Sequence, residues 1–163
     1  MATVEVTFPP LPAHVRTARL VATAVARRSG MDESLLDEVR LAVGEACSRA
    51  VEAHRKHCPG HPIRVALCDD GERFEVVVTD AAPADPDGAP EHGTSAAAAA
   101  PPGGNGAASG AAAGAASDGG VILQLPADVG LAVISGLADD VRISPAADGT
   151  SVAMSWKRRS ATA

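Results

Sequence analysis

Hydrophobic positions change period repeatedly along this chain, and each change marks an element. Valine alternates with polar residues from Thr3 to Phe8, TVEVTF, a period of two that predicts a strand ended by Pro9-Pro10. From Ala13 to Ser29 the apolar positions Val15, Ala18, Val21, Ala22 and Val25 take the spacing of a helix face. Pro12 sits near its first turn, where a missing N–H costs nothing, and Gly30 is a natural stop. Asp32 is the expected N-cap of a second helix, with Glu33 near its positive end, running to about Lys56 before Cys58-Pro59-Gly60. Its apolar stripe reads Leu35, Val39, Ala42, Val43, Ala46, Ala50 and Val51. Ile63–Cys68 and Phe74–Asp80 are two strands joined by the hairpin signal Asp69-Asp70-Gly71.

The pattern then stops. Ala81 to Gly120 is about forty residues of Ala, Gly, Pro, Ser and Asp, against roughly 4–6 for an ordinary connection. The Ala96–Ala100 run is too hemmed in by Gly and Pro for a lasting helix, so the segment reads as a low-complexity, weakly ordered insertion. Structure is expected to resume at Val121, with a helix from about Asp128 to Leu137, a strand Val141–Ser144, a turn at Asp148-Gly149 and a last strand Thr150–Lys157. This order predicts an α+β fold: a two-layer sandwich whose mixed, mostly antiparallel sheet is covered on one face by helices.

Composition narrows this picture. The 163 residues suit one domain spanning 1–163, with the insertion at 81–120 inside it. Phe8, Phe74 and Trp156 are the aromatic residues, so the core is expected to be aliphatic. A net charge of −6 argues against nucleic acid as partner, and the tail Trp156-Lys157-Arg158-Arg159 reads as a solvated end. No long apolar span or basic-then-apolar leader appears, so no membrane partner and a cytoplasmic location are expected. Cys47, Cys58 and Cys68 form no paired framework and are read as reduced thiols. His54, His57, Cys58 and His61 are metal-ligating types crowded together, yet a helix C-terminus favours histidine anyway and Pro59-Gly60 forces a turn among them. No metal site is expected there.

The second helix also carries a polar line. Glu38, Glu45 and Glu52 recur every seven residues, and Arg49 lies one turn after Glu45. The run Glu45-Ala46-Cys47-Ser48-Arg49-Ala50 resembles the Glu-Ala-x-Thr-Asn-Ala helix of the anti-sigma-factor serine kinases, a branch of the histidine-kinase-like (Bergerat, GHKL) ATPases. The strand FEVVVTD ends in Asp80-Ala81-Ala82, similar to that family's Asp-x-Gly, and Gly130-Leu131-Ala132-Val133-Ile134 through Asp139 and Val141 is similar to its Gly-Leu-x-Leu-Ile segment. Gly149-Thr150-Ser151-Val152-Ala153-Met154 resembles its last strand. The matches span Val4 to Lys157 in the family's order.

The resemblance implies roles. Glu45 would be the general base; Asp80 would accept the exocyclic amine of adenine, with Thr150 or Ser151 supplying a supporting hydroxyl; Gly130 and Leu131 would open a helix whose N–H groups face phosphates. Arg19 matches an arginine with which such proteins grip an anti-anti-sigma partner. Three positions depart from the pattern: Arg49 replaces the magnesium-holding asparagine, Ala82 the glycine beside the base, and Asp128 a glycine two places before Gly130. A guanidinium about 4 Å from a divalent ion costs on the order of 8 kcal/mol at an effective dielectric near 20. Arg49 is expected instead to pair with Glu45 at i,i+4, worth about 0.3–0.5 kcal/mol, or to contact phosphate directly. The expectation is an anti-sigma regulatory protein of a partner-switching system, binding a sigma factor, an anti-anti-sigma antagonist or both, with a degenerate ATP site and magnesium disfavoured. The alternative is an active ATP-dependent serine/threonine kinase of that antagonist. The resembled proteins commonly dimerise, so a homodimer is among the implied assemblies.

Overall fold

The computed structural model describes residues 2–83, 127–146 and 148–158. The elements run β1 (Ala2–Phe8), α1 (Pro12–Arg28), α2 (Glu33–His57), β2 (Ile63–Asp69), β3 (Arg73–Asp80), α3 (Ala127–Leu137), β4 (Asp140–Ala146) and β5 (Gly149–Lys157). The expected insertion lies outside the described residues beyond Pro83, as does the expected restart at Val121.

The five strands form one sheet in the order β1-β2-β3-β5-β4. Every pairing among the described strands is antiparallel, so the mixed sheet expected from the element order is, in this part, uniformly antiparallel. Register follows from the period-two pattern, because a slip by one residue would turn every valine toward solvent. It aligns Val6, Val65, Val78, Val152 and Ile143 in one row, and Val4, Leu67, Val76, Met154 and Val141 in the next. The three central strands bury these side chains beneath the helices, while Val4 and Ile143 on the edges stay more exposed. The opposite row Ala66, Val77, Ala153 belongs to the uncovered face.

Small residues set the helix layer. Ala18, Ala22 and Ala26 of α1 and Ala42, Ala46 and Ala50 of α2 are buried, so the two helices approach closely. The α2 stripe is rotated slightly from expectation: Leu36 is buried where Leu35 is half-buried, and Cys47 and His54 join Val39, Val43 and Val51 inside. Gly30, at φ 77°, ends α1 in a Schellman motif: Gly30 N–H donates to the Arg27 carbonyl at 3.0 Å and Met31 N–H to that of Ala26 at 3.2 Å. Asp32 then caps α2, accepting from Ser34 N–H at 3.0 Å. α3 is fixed at its far end by the buried Trp156, whose Nε1–H donates to the Leu137 carbonyl at 2.8 Å.

Candidate functional site

Three elements converge at the end of β3. Asp80 is 7% exposed, and its Oδ1 accepts from the N–H groups of Ala82 at 3.1 Å and Thr150 at 3.2 Å. The carboxylate is thus held by main chain on both sides, from its own turn and from the start of β5. The Ser151 hydroxyl lies 3.2 Å from that of Thr79, across the β3–β5 pair. Gly149, at φ 148°, lets β5 pass against the Asp80 carbonyl, where any Cβ would collide. Ala82 is buried, so its methyl fills space at the position where the resembled pattern has glycine.

His54 completes this corner. It is fully buried, with Nδ1 2.9 Å from the His61 carbonyl, and Nε2 accepts from Ala81 N–H at 2.7 Å. Those partners fix the tautomer with the proton on Nδ1. Both ring nitrogens are committed, so His54 is not free to ligate a metal with His57, Cys58 or His61. Among the described residues no group of three His, Cys, Asp or Glu side chains is placed to hold one. Cys58, beside this corner, has its thiol pushed up by burial and by the charge of Asp80. The sequence signal for His54 was available: it continues the buried stripe through Ala50 and Val51 into a position where histidine must find partners.

On another side of α2, its line of polar residues meets α3. Glu45 is half-buried, its carboxyl raised above the ordinary value by burial, and its Oε1 lies against the Cα of Gly130. Gly130 therefore admits the carboxyl by having no side chain. Leu131 packs against the core beside it. Arg49 lies one turn after Glu45, about 6 Å along the axis and on the same side of α2, whereas His54, five residues further, is turned away from it by about 140°. The expected Glu45–Arg49 pair does not form; instead the Arg49 Nε is buried without a hydrogen-bond partner among the described residues. Tertiary packing explains the difference, since the Glu45 carboxyl is taken up against α3. The Asp128 side chain lies outside the described residues.

Arg19 stands apart, on α1. Its aliphatic stem crosses α2 at Gly44, and a Cβ there would meet Arg19 Cδ at 2.6 Å. Leu20 and Leu41, on the same two helices, are 59% and 53% exposed. Cys47 is fully buried, its thiol pushed up to about 12 by burial, against a smaller opposing pull from the Arg19 charge. It is an inert core residue rather than a nucleophile.

A helix layer over an antiparallel sheet, with α2 joined through His54 to the turn after a sheet-end aspartate, defines a class that the comparisons identify. The family model described as histidine kinase-like ATPase domain matches residues 8–156, and the chain belongs to that family. Among solved structures, the RsbU and RsbW domains of Rv1364c from Mycobacterium tuberculosis superpose with a TM-score of 0.62 at 19% identity. That alignment covers 99% of this chain and 34% of the other, so this chain spans about a third of its neighbour. No curated protein matches the chain. No helix among the described residues is long and apolar enough to cross a membrane.

The magnesium that such kinases use must be set against the residues present. Where the resembled pattern has its magnesium-holding asparagine, this chain has the Arg49 guanidinium, whose Nε is buried with no hydrogen-bond partner among the described residues. Such a group attracts anions and repels a divalent ion. These residues do not fit magnesium.

Proposed function

We propose that this protein is an anti-sigma-type regulator of a partner-switching system, acting by binding a sigma factor, an anti-anti-sigma protein or both. The proposal includes a cytoplasmic location and an adenine nucleotide site altered from that of a kinase. The observation that supports it is Arg49: it stands where the resembled kinases have a magnesium-holding asparagine, and its Nε is buried with no partner among the described residues. Family membership and the RsbW-domain neighbour support the regulatory reading. On the surface, Arg19 laid across Gly44 with Leu20 and Leu41 exposed supplies a charged anchor and apolar contacts for a protein partner.

Titration of the purified chain with candidate sigma factors and anti-anti-sigma proteins tests this directly. Saturable binding to at least one is expected, and binding to none would sink the proposal.

A kinase reading is favoured by one observation, the half-buried Glu45 with a raised carboxyl pKa, a property suited to a general base. Incubation with labelled ATP, magnesium and the bound antagonist separates the two readings. No transfer is expected; label that appears on the antagonist and vanishes with Glu45→Ala would establish the enzyme.

A further inference from the structure

On the polar line of α2, the Arg49 Nε has no hydrogen-bond partner among the described residues. Arg49 has Glu45 one turn before it on the same helix, and Glu45 does not take its Nε. Glu45 is pressed against Gly130, and Asp80, on β3, has its Oδ1 held by the N–H groups of Ala82 and Thr150, which leaves Oδ2 to accept from a base. The buried Arg49 Nε has no hydrogen-bond partner among the described residues, so an acceptor brought there by a ligand would satisfy it. The planar fork of arginine suits the oxygens of a phosphate chain. Its charge excludes a divalent ion from that place.

We propose that this site takes its nucleotide as a metal-free polyphosphate, with the Arg49 guanidinium standing where a divalent cation would otherwise bridge the phosphates. The proposal rests on the adenine-site reading above and changes its chemistry. Asp80 at the sheet end orients the base, and Arg49, on α2, neutralises phosphate. Magnesium then weakens or leaves unchanged what it strengthens in a kinase, because an ion already on the phosphates competes with Arg49 for the same oxygens.

The test is calorimetric titration of the full chain with ATP, once in excess EDTA and once in excess magnesium. Wild-type affinity is expected to be equal or higher in EDTA. Arg49→Asn should lose at least tenfold in EDTA and regain affinity when magnesium is added. Arg49→Met, which keeps the apolar stem, provides a second variant should Arg49→Asn fold poorly, and it should lose affinity in EDTA without regaining it. Inorganic tripolyphosphate should displace ATP from the wild type in EDTA and fail to do so from Arg49→Met. A wild type that binds ATP at least tenfold more weakly in EDTA overturns the inference. So does an Arg49→Met chain that folds and binds as the wild type, or absence of ATP binding in both buffers. Partner titration without nucleotide is independent of all three results, so failure here is distinguishable from failure of the regulatory reading.

Discussion

At the scale of single residues, burial determines what the ionisable groups on α2 do. Glu45 carries the clearest consequence, because its carboxyl is raised above 4.5 by burial and sits against Gly130. Below about pH 4 the folded and unfolded chains both hold that proton, and the residue has no effect on the balance. As pH rises past 4.5, the unfolded chain releases its proton first, so stability is lost until the higher folded value is passed. Glu45→Gln keeps the shape and removes the charge. It is expected to raise the melting temperature at about pH 7 and to leave it unchanged at about pH 4. Identical melting at both values would show that the burial is not felt.

Elements were legible to the degree that their cause was local. Both helical hairpin ends were readable, Gly30 and Asp32, because cap chemistry is written into the residue types. The valine alternation gave the sheet face directly, and the register in turn aligned it. Contacts made by a neighbour were not legible: helix spacing alone pairs Glu45 with Arg49, and only the approach of α3 removes Glu45 from that pair. Leu36 rather than Leu35 is buried for the same reason, since α1 and the sheet fix the rotation of α2. Gly44 shows such a contact at work. Inside a helix glycine costs about 0.5–1 kcal/mol against alanine, and here it leaves room for the Arg19 stem. Gly44→Ala is therefore expected to hold or raise the melting temperature by about 2–4 °C while displacing Arg19. Affinity for the protein partner should then fall about tenfold, as loss of an interface arginine contact would produce. Unchanged partner affinity with Arg19 displaced would remove Arg19 from the interface.

Across the whole molecule, the site depends on segments far apart in sequence meeting at one corner. β3 delivers Asp80, β5 arrives seventy positions later to donate Thr150 N–H, and α2 supplies His54 from twenty-seven positions before Ala81. His54 is the link between layers, joining the helix end, the β2 approach through the His61 carbonyl and the turn after Asp80. Its two bonds can be removed separately. In His54→Asn the amide nitrogen lies near the former Nδ1 and keeps the His61 carbonyl, but Ala81 N–H loses its acceptor. In His54→Gln the longer side chain brings its oxygen near the former Nε2 and keeps Ala81, releasing His61. Each lost partner leaves a buried polar group unsatisfied, so each variant is expected to lose about 1–3 kcal/mol of stability. The site should tell them apart. Amide exchange at Ala81, followed by NMR, is expected to accelerate in His54→Asn and stay slow in His54→Gln, and ATP affinity should follow the same order. Equal exchange at Ala81 in the two variants would mean that His54 holds the fold alone and that Asp80 is oriented without it.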